Sequence, residues 1–491
     1  MICAIRLPLD NGCMPATPIL HARKDSLLIS QRTPLLSRSV SAVSRYSGAL
    51  LRMLHCTTRA APSCTNAKNG AGILLRTLMS LAFLMGSHTP SLATDPVPPP
   101  DAPEDSVPAG DMRRFMHGIA AVPGPTPDEA YVFFSSANPD EELPIPGGSW
   151  THDVYVARWD GRTGKLETAS RFISRPEAQE PVSAARNAAG NIMITFEDGW
   201  KAPHTVTQRY GVYDHQLDPV KAYPNEVEPG GHSGHVSAVG DDFIVFYSDG
   251  WIDGGGEQNL GSGHGVYAKV YDTLGQEQHD IDIVHAQRAW WPRLAGGTNK
   301  ALLIWQELMP NERDARLKAA VLDPRSGEVG PHLALHDEIH FYHYDVAWMP
   351  EIERFLVVGS ADGKGFARLI SQEGKVTASL TCMPATVREA SIAVDSETNL
   401  AYAPAADGRL LQLRASRDSL SLAGILTTLD SSPVHWRSIG SLGLFGPDNM
   451  LHWFSLTEEG VARPRSTPPG LTHSQFNLAN VQKPSKEDEC K

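Results

Sequence analysis

The sequence predicts an all-β chain made of one antiparallel four-strand unit repeated around a ring. Three observations carry that expectation. The stretch from His232 to Val284 alternates and turns like a four-strand meander, its pattern recurs along the chain, and the recurrence has a nearly regular spacing. Blades of a propeller repeat at roughly 40–50 residues, and closing them into a ring leaves few exposed sheet edges. The chain from 111 to 482 therefore reads as a single β-propeller of seven four-stranded blades. Six blades, or two sandwich domains, are the alternatives.

Within the anchor unit, HVSAV alternates, Gly240-Asp241-Asp242 turns the chain, and FIVFY is a short apolar run of strong β-formers. Ser248-Asp249-Gly250 breaks that run, and a Gly-rich loop leads into GVYAKVYD, with Val266, Ala268 and Val270 on one face. Thr273-Leu274-Gly275 turns the chain again before the alternating HDIDIV.

The first-strand core recurs as HGIA at His117, EPVSA at Glu180, GHVSA at Gly234, PRLA at Pro292, YDVA at Tyr344, ASIA at Ala390 and RSIG at Arg437. The small residues closing these cores are Ala120, Ala184, Ala238, Ala295, Ala347, Ala393 and Gly440, spaced 46 to 64 residues apart. Apolar second strands follow each (YVFF, IMITF, FIVFY, ALLIW, FLVV, LAYA, MLHWF). The third strands read as VYVARWD, VTQRYGVYD, VYAKVYD, RLKAAVLD, GFARLIS, RLLQLRA and GVARPRS. The last blade's fourth strand is expected from THSQFNLANV or from the segment before Phe115.

The segments HVSAVGDDFIVFYSDG, GSGHGVYAKVYDTLG, WWPRLAGGTNKALLIW and PVSAARNAAGNIMITF resemble a repeat of bacterial exported and cell-surface proteins. That repeat has the form P-S-V-A-x-L-x-x-G-G-F-V-V-x-W-x-S-D-G, followed by G-S-G-x-G-V-Y-A-Q-x-Y-D-x-x-G. The resemblance covers blades two to five. It implies a propeller-like fold and export, and it implies no activity.

Residues 1–93 read as a leader. They hold ten of the 43 Lys and Arg but only two of the 56 Asp and Glu. A short apolar core at about 78–86 follows Arg76, and Ser91-Leu92-Ala93 suits signal cleavage. A start at Met53, or an organellar transit peptide, is the alternative. Without the leader the chain carries 33 basic and 54 acidic residues, a net charge near −21. Such a body repels phosphate backbones, so nucleic acid is excluded as a partner. No later apolar stretch reaches membrane length, so no span is expected in the mature chain.

Residues 94–110 form a Pro- and acid-rich linker, and 483–491 a charged tail expected to be disordered unless tied down. Cys382 and Cys490 remain after the leader leaves, an even pair that suits a disulfide in an oxidising compartment, pinning the tail to blade five.

Histidine is the suggestive residue type. Residues at or just before the start of each first strand would line the channel mouth: His117, Glu180, His235, Trp291, His343, Arg388 and His435. His235 and His343 are candidate transition-metal ligands, with each satisfying a strand-end carbonyl as the alternative. Asp249 and Asp253, with Glu257 and Asn259, offer oxygens suited to calcium. The H-x-x-x-H spacing of His332, His336 and His340, with His343 beyond and Phe341, Tyr342 and Tyr344 among them, is a further metal or stacking candidate, with a hydrogen-bonded rim loop as the alternative. Asp153, Asp160, Glu197 and Asp198 read as ordinary turn and edge acids, and no nucleophile or phosphate-loop motif is present. Catalytic residues stay unassigned. The expectation is a periplasmic or secreted binding and scaffold protein for a glycan, peptide or protein partner. The alternative is an enzyme (a hydrolase or lyase) acting on carbohydrate or another polymer at the mouth, with or without a bound metal.

Overall fold

Alternation of apolar and polar residues makes each strand two-faced, and a meander of such strands buries one face only by packing against the next sheet. The computed structural model describes residues 118–137, 152–175, 179–198, 206–256, 259, 261–389, 391–429, 431, 434, 440–456 and 471–489. Seven antiparallel sheets follow one another in sequence and close into a seven-bladed propeller. Helix among the described residues is confined to 3-10 turns, at Pro350–Ile352, at Leu478–Asn480 and at Asn259. No helix there is long and apolar enough to cross a membrane.

The inner strands of blades one to seven are Ile119–Pro123, Gln179–Arg186, Gly231–Val239, Ala289–Gly296, Tyr344–Met349, Ala393–Asp395 and Ser441–Phe445. Blade three shows the pattern in full. Gly231–Val239 pairs with Asp242–Asp249, which pairs with Gly265–Tyr271, which pairs with Glu277–His285. In blade one the outer position is split between Lys165–Leu166 and Ser170–Ile173. In blade four it is split between Glu328–Val329 and Leu333–Ile339.

The seventh blade corrects one expectation. Leu471–Asn477, read as a fourth strand, pairs directly with Met450–Leu456 and so takes the third place. The segment GVARPRS, read as that third strand, lies outside the described residues. Among the described residues this blade has three strands, and the third is its edge. THSQFN buries Phe476 completely.

The apolar core lies between blades. One cluster joins Val239, Phe246 and Val270 of blade three to Leu303, Trp305 and Leu322 of blade four. Others join blades two and three, four and five, five and six, and six and seven. The cluster around Val132, Phe133 and Trp159 takes Ile194 from blade two and Phe454 from blade seven, closing the ring.

Near the axis the inner strands approach closely enough to restrict residue size. A Cβ on Gly296 would sit 1.9 Å from the Ala238 carbonyl oxygen of the preceding blade. A Cβ on Gly118, whose φ is +82°, would sit 2.5 Å from the Val182 nitrogen. Only glycine fits either position.

The C-terminal segment is seated on blade six. Gln482 exchanges two backbone hydrogen bonds with Ile425 (2.8 and 3.0 Å). Asp488, 8% exposed, pairs with Arg409 at 2.7 Å. Non-covalent contacts therefore already order a tail whose composition pointed to disorder. Cys382 is disulfide-bonded; Cys490 lies outside the described residues.

Gly296→Ala is expected to cost about 2 kcal/mol or more by forcing two backbones apart. Gly330→Ala, whose Cβ would have nothing nearer than 3.5 Å, should cost less than half of that. Urea denaturation of the two variants provides the comparison.

Candidate functional site

The propeller has two unlike faces. One carries the turns between first and second strands and between third and fourth, which are short: Gly240–Asp241 and Asp272–Gln276 in blade three. The other carries the starts of the inner strands and the second-to-third connections, and Gly250–His264 is a long one. Loops clustered at one end of a rigid β scaffold are where binding groups usually sit. This second face holds the channel mouth.

At the mouth the backbone breaks its regular conformation at the start of every inner strand. Gly118 and Gly440 have φ of +82° and +140°, and the Glu180–Pro181 peptide is cis. Ser233, Trp291, Tyr342 and Glu389 take φ of +52°, +57°, +64° and +50°, a left-handed region that non-glycine residues rarely enter. Pairing registers slip at the same places, between Glu180 and Ser183, His232 and His235, and Trp290 and Arg293. Each left-handed residue costs on the order of 1 kcal/mol, so four around one opening are held there by the packing beneath them.

Inside the mouth is a narrow cavity of about 20 Å³, room for roughly one water, lined by His235, Trp291, Arg293, Glu389, Ser391 and Ser441, among others. Arg293 and Asp345 form a buried ion pair at 2.9 Å between blades four and five. His235 is fully enclosed. Its Nδ1 lies 2.8 Å from the Ser233 carbonyl and so carries the proton of the neutral ring. Burial holds its pKa well below the usual histidine value, and the Arg293 charge adds to the effect. Trp291 meets Tyr342 edge-on at 4.9 Å, and the Arg388 guanidinium stands 4.3 Å over the Tyr342 ring while pairing with Glu389 at 2.9 Å. The Trp291 carbonyl accepts the Tyr344 hydroxyl at 2.7 Å. His343 Nδ1 lies 3.0 Å from the Thr386 carbonyl, and burial, followed by the nearby charges of His340 and Arg388, lowers its pKa.

A second polar cluster sits on the same face of blades one to three. Glu197 reaches His232 Nδ1 at 3.3 Å and accepts the Ser233 backbone N–H. Glu180 stands directly across the ladder from Glu197. Asp198 is held by Arg175 and Arg209, each at 3.4 Å, by Gln179 at 3.4 Å and by the Tyr223 hydroxyl. Asp153 pairs with Arg171 at 3.2 Å. Asp153, Glu197 and Asp198 are each no more than 2% exposed. This corrects their reading as ordinary edge acids: all three are buried, and each is held by an arginine or histidine from another strand or loop. The one local signal was acid-Gly (EDG) at the end of an apolar strand.

Of the residues expected at the mouth, Glu180, His235, Trp291, His343 and Arg388 lie on this face. His117 and His435 fall outside the described residues. His235 and His343 each bond a backbone carbonyl, the alternative weighed against a metal. Asp249 is half-buried at the end of its strand and Asp253 exposed in the loop beyond it; Glu257 is outside the described residues. Among the described residues no group of three or more His, Cys, Asp or Glu is placed to hold a metal ion. The H-x-x-x-H series does not converge. His332 meets Trp305, His336 stacks on Phe366 and His340 meets His343. Phe341, a stacking candidate in the sequence, is half-buried against Trp290 at 5.7 Å; Trp251, half-buried beside the His232 ring at 5.2 Å, is an aromatic the sequence reading did not single out.

No family model matches the chain, and no curated protein matches it. Among solved structures, a chain of Kuenenia stuttgartiensis hydrazine synthase is similar at 13% identity. The match covers 61% of this chain and 77% of that one, with a TM-score of 0.38. A likeness at that level bears on neither activity nor ligand.

His235 makes stability depend on pH. Its folded pKa lies below 6.5, so above that pH the ring is neutral in both states and costs nothing. As pH falls through 6.5, the unfolded chain takes a proton that the folded one refuses, and stability falls by up to about 1.4 kcal/mol per pH unit. Urea denaturation from pH 7.5 to pH 5 should show the gap between wild type and His235→Asn shrinking as pH falls. A constant gap would contradict a buried neutral His235.

Proposed function

We propose that the protein is an exported binding propeller that holds a glycan, peptide or protein partner on its channel-mouth face. The observation that carries this reading is the ring of irregular backbone at the inner-strand starts. Ser233, Trp291, Tyr342 and Glu389 take left-handed φ at four successive inner-strand starts around one opening, and strain of that kind persists where a surface is pre-shaped for a ligand. The rim supplies half-buried aromatic faces in Trp251 and Phe341 and ionisable groups in His340, His343 and Arg388. Aromatic faces beside polar groups suit sugar rings and aromatic side chains. The net acidic body sets the partner class against nucleic acid.

A second reading, an enzyme acting on a polymer at the same mouth, rests on one specific feature. Glu197 and His232 form a buried carboxylate–imidazole pair, with Glu180 across the ladder from Glu197. Such a pair can hold and move a proton. Export in either reading rests on the leader composition.

Binding of purified protein to arrays of soluble polysaccharides and peptides tests the first reading, followed by calorimetry on the best binder. Trp251→Ala and Phe341→Ala are each expected to weaken binding about tenfold. Leu274→Ser, in an exposed turn of the opposite face, should leave it unchanged. Loss of binding in Leu274→Ser alone would overturn the assignment to this face. Turnover of a bound polymer, abolished in Glu197→Gln, would favour the enzyme.

A further inference from the structure

We infer that Cys382 and Cys490 form a disulfide that makes the C-terminal segment a covalent strap across blades five and six, ending at the rim of the mouth face. Cys382 is already in a disulfide. It lies near the end of Val376–Pro384, the outer strand of blade five, and that end belongs to the mouth face. The tail approaches from blade six. Gln482 is bonded to Ile425 near the end of that blade's outer strand, and a Cβ on the neighbouring Gly424 would lie 2.0 Å from Val481.

Further along, Asp488 is fixed by Arg409 Nη2 at 2.7 Å and by the Ser485 N–H and hydroxyl at 2.8 and 2.7 Å. Arg409 follows the second-to-third-strand turn of blade six, so this anchor also belongs to the mouth face. Cys490 is two residues beyond Asp488, a span of at most about 7 Å of chain. The four other cysteines all lie in the first 64 residues, in the segment that reads as a removable leader.

Forming the bond removes two protons and two electrons from the paired thiols. A disulfide acceptor of an oxidising compartment takes them up and leaves as two thiols. The ion pair and the Gln482 bridge seat the tail first, which raises the effective concentration of one thiol at the other. Reduction leaves only the non-covalent seats, so the strap is redox-sensitive. This inference is independent of what binds at the mouth.

The test is peptide mapping of the full chain, exported and isolated without reductant, after free thiols are blocked. Trypsin cuts after Lys486 but not at Lys483, which precedes Pro484. The expected result is the peptide Glu487–Lys491 attached to the Cys382 peptide and released by reductant. Two alkylated cysteines, or Cys382 linked to Cys3, Cys13, Cys56 or Cys64, would overturn the proposal. Arg409→Ala supplies the second reading. In reduced protein it should speed cleavage at Lys486 by up to about fivefold, the size of one ion pair. In oxidised protein the peptide should stay attached at any cleavage rate; its loss before reduction would also overturn the strap.

Discussion

The whole molecule depends on seven inner strands standing side by side around a narrow axis. Each neighbouring pair is joined by a contact that needs a small or hydrogen-bonding residue. Gly118 lies against Val182, and the Ser183 hydroxyl accepts the Val236 N–H at 3.1 Å. Ser237 accepts the Gly296 N–H at 2.8 Å, and Arg293 pairs with Asp345. The Glu389 N–H reaches the Tyr342 carbonyl at 3.0 Å, and the Ser391 hydroxyl donates to the Ser441 carbonyl. Gly440 against Ile119 completes the circle. The apolar clusters between blades supply most of the burial, but they bring these strands into contact only because the axial residues leave room.

That crowding explains the unlike faces. Strands that converge must be steered into the axis at one end, and the left-handed residues and register slips do this at the mouth. Among the side chains attached to these kinks, Trp291 lines the cavity and Tyr342 meets it edge-on. The same steering leaves polar groups with nowhere to meet water, so they satisfy one another. Asp198 gathers two arginines, a tyrosine and a glutamine. The mouth is rigid because its charges are mutually held.

Blade number, strand order in blades one to six and the site of the mouth were legible in the sequence, because alternation and turn residues are local signals that repeat. The anchor unit is typical: HVSAV, FIVFY and GVYAKVYD become strands with Val236, Phe243, Ile244 and Val270 all fully buried. What was not legible depends on distant partners. Glu197 and Asp198 look like turn acids until the chain brings His232 and Arg175 beside them. The seventh blade misled because GVARPRS and THSQFN both alternate, and only the fold shows that the second pairs with Met450–Leu456. The tail was expected to be disordered unless tied down, and the Gln482 bridge and the Asp488–Arg409 pair are ties that its polar composition does not announce.

The central claim is that the inner ring is one cooperative unit on which every blade depends. Native-state hydrogen exchange at low denaturant measures this directly. The account predicts that inner-strand amides of all seven blades, Val236, Leu294 and Val346 among them, exchange last and with a common free energy equal to that of global unfolding. Outer strands such as Glu277–His285 should exchange earlier and independently. If the inner strand of any one blade opened well before the others while the remaining six stayed protected, the ring would not be a unit and the account would be wrong.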